Sequence, residues 1–598
     1  MCGIAGTLAY HPDSSPVNLD ELMRMRDRMR ARGPDGAGLW CSSDGRVALA
    51  HRRLAIIATD DSGAQPMRDE RNGNQIVFNG EIYNHAALRE DLVRSGVAMR
   101  TASDTEVLLK LWSRDGPAML GRLRGMFAFA IWDAASRTLF LARDAFGIMP
   151  LYLADDGATL RFASQVKSLL EADVDRRPEP AGHAGFLLWG SVPDPWTLYK
   201  GIRALPAGHW MQVRDGKAGG AVPFDSPLHG LLCAQEARRD PLAEPLNDIA
   251  RAVDDSVAAH LVADVPVGVF LSAGLDSTMI AACAARHGAL HTVTLGFDEY
   301  AGTRQDEAAL AAEVASQLGA KHHLHRFNAS DFAKDREALM HAMDQPTVDG
   351  INTWFVAKSA AAQGLKVALS GIGGDELFGS YPSFSQVPTL QRRIQPLARV
   401  PHLGLGIRHA MSRMPGLLPS AKYAGLVEYG GSIGGAYLLR RALFMPWEIP
   451  ALMDPELAAQ GLAELDTLAR LQASTRGLRS PRLALSALEM QWYMRHQLLR
   501  DADWAGMAHS LEIRVPFVDG TLLRQWRELP GLSATREKRA VAQAVAPQLP
   551  APVLERPKTG FAVPIHQWLH PGAAHTVGNH RGWARFLYRS FTQEQAIA

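Results

Sequence analysis

The run "VPVGVFLSAGLDSTMIAACAARHG" constrains the fold of this chain more than any other stretch. A β-branched apolar segment gives way to a short loop of small and polar residues, then to a segment of helical spacing. The same unit returns downstream. "LHTVTLGF" reads as the next strand, "EAALAAEVASQLG" as the next helix, and "LKVALSG" as a further strand ahead of "IGGDELFG". Strands and helices alternating in this way predict a parallel α/β sheet whose ligands sit outside the carboxyl ends of the strands. The loops that follow those strands are where chemistry is expected.

Upstream the pattern differs. From the start to about Gln212 strands and short helices mix in an α+β arrangement: "QIVFNG" is an apolar run closed by the tight-turn signal Asn-Gly, and "HAALREDLVRSG" has helical spacing ending on Gly96. "GMFAFAIWDAASRTLFLARD" reads as a strand pair around a polar connection. The stretch 213–244, rich in Gly, Pro and Asp, reads as a linker, and from about Arg392 the text is mainly helical. A chain of 598 residues exceeds what one core supports, so residues 2–212 and 245–598 are expected to be separate domains. Lys and Arg number 63 against 62 acids, which leaves no electrostatic footprint for nucleic acid or an anionic membrane and points to small-molecule partners. The four cysteines are widely spaced without a CxxC, so neither a zinc site nor a disulfide framework is indicated, and a reducing cytoplasm fits. No apolar run reaches the roughly 20 residues that span a bilayer, so the chain is expected to be neither exported nor embedded.

The loop Leu271, Ser272, Ala273, Gly274, Leu275, Asp276, Ser277 stands between strand and helix. Small residues let the backbone approach an anion, exposed N–H groups and the helix dipole favour phosphate, and serines add donors. The loop lacks GxxxxGK, so the γ-phosphate transfer of that motif is not implied, and a generic strand-to-helix turn also explains it. A second loop, "LSGIGGDELFGSY", supplies Ser370, Gly371, Gly373, Gly374 and Asp375. Asp276 and Asp375, from separate loops at one sheet edge, could hold Mg²⁺ against triphosphate oxygens, or could simply cap helices.

A third feature is "MCGIAG". Once Met1 is removed, which the small Cys2 side chain permits, one residue carries a thiol and a free α-amine, a nucleophile with its own base. Cleaving a primary amide through a thioester needs donors for the oxyanion, and Asn79 with the backbone of Gly80 are candidates. A free amino acid also needs a cation for its carboxylate and an acid for its ammonium, roles that Arg53 and Asp104 could fill; "RGPDG" with Arg32 belongs to the same set. Each fragment has an ordinary alternative: a turn at Asn-Gly, a helix N-terminal charge at Asp104, a surface cation at Arg53, a buried strand residue at Cys2.

The order of "MCGIAG", "RGPDG", "HRRLAI", "FNGEIYNH", "SDTEVLL" and "LARDAFGIMPLY" closely resembles the N-terminal-nucleophile glutaminase domain of class II glutamine amidotransferases, in the version found in glutamine-dependent asparagine synthetases. "DVPVGVFLSAGLDST", "LGFDE", "LSGIGGDELFG", "DWAGMAHSLEIRVPFVD" and "RPKTGFAVPI" resemble the synthetase domain of that family, an ATP pyrophosphatase fold. The resemblance implies an αββα sandwich followed by a parallel-sheet domain with a largely helical C-terminal part. It implies nucleophile Cys2, oxyanion donors Asn79 and Gly80, and glutamine held by Arg53, Glu81 and Asp104. It further implies ATP bound by the loop 271–277 with Leu295, Ser370 and Gly371, Mg²⁺ on Asp276 and Asp375, and a catalytic Lys558. ATP then activates a carboxylate as an acyl-adenylate, pyrophosphate leaves, and ammonia from the first site displaces AMP after passing through an apolar channel. A homodimer is also implied.

Departures from the family pattern fall at Ala273, where a glycine is common and which needs a negative φ, and at Gln165, where glutamate is usual. Ile372 replaces an acid of the second loop, and Gln345 stands where an acid is frequent. An aliphatic side chain cannot take the proton released as ammonia attacks. L-aspartate is the default acceptor on this reading, with a uronic acid or natural-product intermediate as the alternative. A non-catalytic protein that binds glutamine and nucleotide is the remote one.

Overall fold

The computed structural model describes residues 1–214, 216–236, 245–303, 305–412, 420–526, 534–556, 563–569 and 580–597. Two antiparallel sheets form its N-terminal part. One runs in the order Arg203–Ala204, Tyr152–Asp155, Thr159–Ala163, Gly3–Ala9, Val47–Arg53, Gly36–Cys41. The other runs Lys217–Ala218, His209–Arg214, Thr138–Arg143, Gly125–Asp133, Gln75–Ile82, Met67–Arg68. Side chains on a strand alternate between faces, and that period of two sorts the core. Ile4, Leu8, Val77, Ala128, Ala130 and Leu141 fill the space between the sheets. Ala5 lies on the outer face of the first sheet under Leu22 and Met25 of helix Leu19–Arg28, and Phe78 and Phe129 lie on the outer face of the second under Leu108 and Leu111 of helix Asp104–Asp115. The result is the αββα layering expected. Helix Leu19–Arg28 begins where the Asn18 side chain accepts the N–H groups of Asp20 and Glu21, and its first-turn acids and last-turn arginines complement the helix dipole.

The turn expected at Asn79-Gly80 is not there. The strand continues through both residues to Ile82, pairing Asn79 with Ala128 and Gly80 with Phe127. Gly80 sits at φ 144°, and a Cβ at that position would lie 2.0 Å from the Met126 carbonyl oxygen. Glycine here serves the close approach of the neighbouring backbone rather than a chain reversal.

The second part is built on a five-stranded parallel sheet in the order Lys321–Phe327, His291–Phe297, Val267–Phe270, Val367–Leu369, Glu512–Arg514. Three of these strands are those read from the sequence. The other two are short of an apolar signal: "KHHLHRF" is polar, and Glu512–Arg514 is three residues in otherwise helical text. The helices Leu275–His287 and Ala308–Gln317 follow their strands as the alternation predicts. Within 213–244, Lys217–Ala218 and Val222–Pro223 pair with the strand His209–Arg214. Helix Pro227–Glu236 brings Gly230 against Leu523 of helix Gly520–Gln525, so this stretch touches both parts of the molecule. Among the described residues no helix is long and apolar enough to cross a membrane.

Two candidate active sites

Cys2 is buried at the head of strand Gly3–Ala9, and its backbone N–H donates to Asn79 Oδ1 at 2.7 Å. Because Gly3 pairs with Arg52, the neighbouring strand brings Arg53 and Leu54 alongside, with the Leu54 carbonyl 3.8 Å from Cys2 Sγ. Burial pushes the Cys2 thiol above its ordinary pKa, partly offset by the nearby N-terminal ammonium. Asn79 and Glu81 alternate along Gln75–Ile82 onto the same face, and Asp104, first residue of its helix, accepts the Ile82 N–H at 3.1 Å. The structure thus gathers Cys2, Asn79, Gly80, Glu81 and Asp104. Burial, then the neighbouring Glu512 carboxylate, holds Glu81 well above the usual carboxylate range, and burial raises Asp104 as well. Arg53 is adjacent, but its guanidinium donates to the carbonyls of Asp60 at 2.6 Å and of Ala58, fixing the loop that follows its own strand.

The second constellation lies at the carboxyl ends of the parallel strands. Between Val267–Phe270 and helix Leu275–His287 the loop folds on itself: Ser277 Oγ accepts the Ser272 N–H at 3.1 Å, and the Gly274 N–H donates to Ser272 Oγ at 3.2 Å. Leu271 and Ala273 are buried, and Ala273 keeps the negative φ that its side chain requires. Leu295 is buried on the adjacent strand, and Ser370 donates its N–H to the Arg514 carbonyl at 2.8 Å. The second loop comes close enough that a Cβ on Gly371 would lie 2.9 Å from Asp276 Cβ, and one on Gly374 2.2 Å from Asp276 Oδ1.

Asp276 and Asp375 do converge, and what they converge on is Lys538: its Nζ donates to Asp276 Oδ2 at 2.6 Å and to Asp375 Oδ1 at 2.7 Å. Burial alone pulls the Lys538 ammonium down, but the two carboxylates outweigh it and hold it above the usual lysine range. Nothing in the sequence singles Lys538 out from the other cations of its helix, Ala534–Val545. Lys558 lies outside the described residues. Gln345 is buried and donates to the Tyr152 hydroxyl at 3.2 Å, Gln165 precedes helix Val166–Leu169 without capping it, and Ile372 is half-buried between the two main apolar cores.

The two parts of the molecule meet in buried polar contacts that begin at Cys2. Arg32, fully buried, donates through Nε to the Cys2 carbonyl at 3.0 Å and grips Asp503 with both terminal nitrogens at 2.6 and 2.8 Å. Arg514 reaches back from the parallel sheet, with Nη2 3.7 Å from Glu81 Oε1, and Glu512 beside it receives the Met1 ammonium.

A family model described as "Glutamine amidotransferase domain" matches residues 1–222, and one described as "Asparagine synthase" matches residues 248–582. The chain is 31% identical to asparagine synthetase [glutamine-hydrolyzing] 1 of Bacillus subtilis over 95% of its own length and 88% of that protein's. It is 32% identical to asparagine synthetase B [glutamine-hydrolyzing] of Escherichia coli over 65% of its own length and 66% of that protein's. Among solved structures, the glutamine phosphoribosylpyrophosphate amidotransferase of B. subtilis complexed with ADP and GMP aligns at a TM-score of 0.29 and 17% identity, covering 54% of this chain and 65% of that one. With an amidotransferase sandwich around Cys2 and a synthase sheet around Asp276 and Asp375, this chain belongs to the family of glutamine-hydrolysing asparagine synthetases, glutamine-dependent carbon–nitrogen ligases.

Proposed function

We propose that the protein hydrolyses glutamine at Cys2 and spends the ammonia on a carboxylate that ATP has activated as an acyl-adenylate, with L-aspartate as the acceptor. The observation that carries this reading is the pairing of Asp276 with Asp375 around one cation, in the same chain as a cysteine bonded to Asn79.

With Met1 removed, the Cys2 sulfur adds to the glutamine carboxamide carbon and the freed α-amine takes its proton. The oxyanion that forms is met by Asn79 Nδ2, a buried donor without a partner among the described residues, and by the Gly80 N–H. Collapse expels ammonia, leaving a thioester that water opens to glutamate. Glu81 and Asp104 hold the substrate ammonium; Arg53 meets the carboxylate if it leaves the carbonyls it now binds. At the sheet, a carboxylate oxygen of the acceptor attacks the α-phosphorus of ATP and pyrophosphate leaves. Ammonia then attacks the acyl carbon and AMP departs. The loop 271–277 and the N-terminus of helix Leu275–His287 cradle the phosphates. Two carboxylates that share one ammonium present hard oxygens at a site that already holds a cation, so Asp276 and Asp375 are the residues that would hold Mg²⁺. Bound there, Mg²⁺ supplies charge neutralisation to the triphosphate. Ile372 offers no proton acceptor, so the proton shed by attacking ammonia leaves through another group.

The test is a screen of carboxylates, aspartate and uronic acids among them, with ATP and either glutamine or ammonia, following AMP, pyrophosphate and glutamate. Cys2→Ala is expected to abolish glutamate release and to leave ammonia-driven pyrophosphate release intact. Glutamate release at the normal rate from that variant refutes the first site; pyrophosphate release that no carboxylate stimulates refutes the second.

A further inference from the structure

The near balance of 63 basic and 62 acidic residues holds for the whole chain and not for each of its parts. Between Glu376 and Glu428 no acidic residue occurs, while Arg392, Arg393, Arg399, Arg408, Arg413 and Lys422 all fall there. No other stretch of the chain runs as long without an acid. Within it the helices Ser383–Ala398 and Leu403–Ser412 form a hairpin, closed by a turn in which His402 takes a left-handed φ of 61°. The hairpin is held from one side. Val387 is buried, a Cβ on Gly431 would lie 2.4 Å from Ala398 Cβ, and one on Gly404 would lie 2.6 Å from Glu428 Cα.

The free side carries both cations and large apolar groups. Leu397, Val400 and Leu405 are 48%, 51% and 39% exposed around the turn, and Arg392, Arg393 and Arg399 are exposed beside them. Arg408 serves the fold, gripping Glu428 at 2.5 Å and lying over the Trp447 ring at 5.1 Å. Arg392, Arg393 and Arg399 form no ion pair among the described residues, and Arg392 reaches only the Pro388 carbonyl, at 3.3 Å. One exposed leucine is ordinary; three grouped at the tip of a hairpin, ringed by unneutralised guanidiniums, are not. Arginine lays its apolar stem along such a surface and keeps its head in a polar, anionic layer. Tyr423, 48% exposed on the turn Ala421–Gly425 that packs against Leu403–Ser412, adds an amphipathic ring of the kind that settles at a lipid headgroup boundary.

We propose that this hairpin docks the protein on an anionic membrane surface, with Leu397, Val400 and Leu405 entering the headgroup layer and Arg392, Arg393 and Arg399 meeting lipid phosphates. A nucleic acid would satisfy the cations but leave the aliphatic tip in water; a lipid interface takes both. Attachment is peripheral and reversible, because three aliphatic side chains bury little area and the remaining attraction is screened by salt.

The experiment is flotation of the full-length protein with vesicles of phosphatidylcholine alone and of phosphatidylcholine carrying about 30% phosphatidylglycerol, at low salt and at about 0.5 M. The wild type is expected to float with the anionic vesicles at low salt, to stay behind with the neutral ones, and to lose at least about fivefold of its binding at high salt. Arg393→Glu with Arg399→Glu, and separately Leu397→Ser with Val400→Ser, are expected to weaken binding at least about tenfold with an unchanged melting temperature, since all four side chains are exposed. Arg71→Glu with Arg94→Glu makes the same charge change on exposed residues of the N-terminal part and is expected to weaken binding less than about threefold. A wild type that ignores anionic vesicles overturns the proposal, as does either hairpin pair binding like the wild type or the N-terminal pair proving equally damaging. A wild-type dimer that Leu397→Ser with Val400→Ser splits gives the face to a second copy of this chain and overturns it too.

Discussion

Removing the Asp503 charge tests whether the glutaminase is completed by the synthetase domain. Asp503→Asn leaves a near-isosteric side chain opposite Arg32, whose own side chain is 1% exposed against 6% for Asp503. With charge centres about 4 Å apart and an effective dielectric of about 20, the pair is worth about 4 kcal/mol of attraction. Stranding the guanidinium by removing its partner typically costs 3–5 kcal/mol, whereas replacing both ends by apolar residues is far milder. Arg32 also holds the Cys2 carbonyl, so the loss is read at the thiol. The assay is the urea concentration at which glutamine hydrolysis is half lost. Taking a slope of about 2–3 kcal/mol per molar for a unit of this size, Asp503→Asn should lower that midpoint by about 1–2.5 M. Arg32→Met with Asp503→Leu together should lower it by less than either single change. A shift under about 0.5 M for Asp503→Asn, or a double variant as damaged as the sum of the singles, refutes the reasoning.

Gly80→Ala should cut glutamine hydrolysis at least about 100-fold while sparing ammonia-driven AMP formation, because the new Cβ lies 2.0 Å from the Met126 carbonyl oxygen and pushes Asn79 and Gly80 off their positions; near-normal hydrolysis contradicts this. Lys538→Met should slow ammonia-driven pyrophosphate release at least about tenfold by leaving Asp276 and Asp375 without their shared cation, and unchanged release shows that the lysine only packs. His183, buried and hydrogen-bonded to the Leu198 carbonyl at 3.2 Å, has its pKa lowered to about 4 by burial. Between pH 6.5 and 4 the unfolded chain therefore binds the extra proton, and stability falls as pH falls, by up to about 3 kcal/mol. Urea midpoints at pH 7 and 4.5 should differ less in His183→Gln than in the wild type; equal differences refute the assignment.

The parts legible in the sequence are those whose signal is local. A β-branched strand, small loop residues and a helix stand consecutively from Val267 to His287, so the loop 271–274 and Asp276 could be placed at the carboxyl end of a strand without coordinates. Asn79-Gly80 misled because its local signature is that of a turn, while the neighbouring Met126 backbone, distant in sequence, decides its conformation. Lys538 and Asp276 are 262 positions apart, and Arg32 and Asp503 are 471 apart. No periodicity or spacing connects such pairs; the first is made by helix packing within the second domain, and the other by the packing of one domain on the other. Glu512–Arg514 escaped for a different reason, since three residues with two charges among them carry no strand pattern until the sheet supplies a parallel neighbour in Val367–Leu369.

The distance between Arg32 and Asp503 along the chain has a consequence for synthesis on the ribosome. A nascent chain can assemble its N-terminal sandwich, thiol included, hundreds of residues before the carboxylate that locks Arg32 onto the Cys2 carbonyl has been translated. On the function proposed above, Cys2 is braced only once the C-terminal domain exists, so a half-made chain lacks the finished means to squander glutamine.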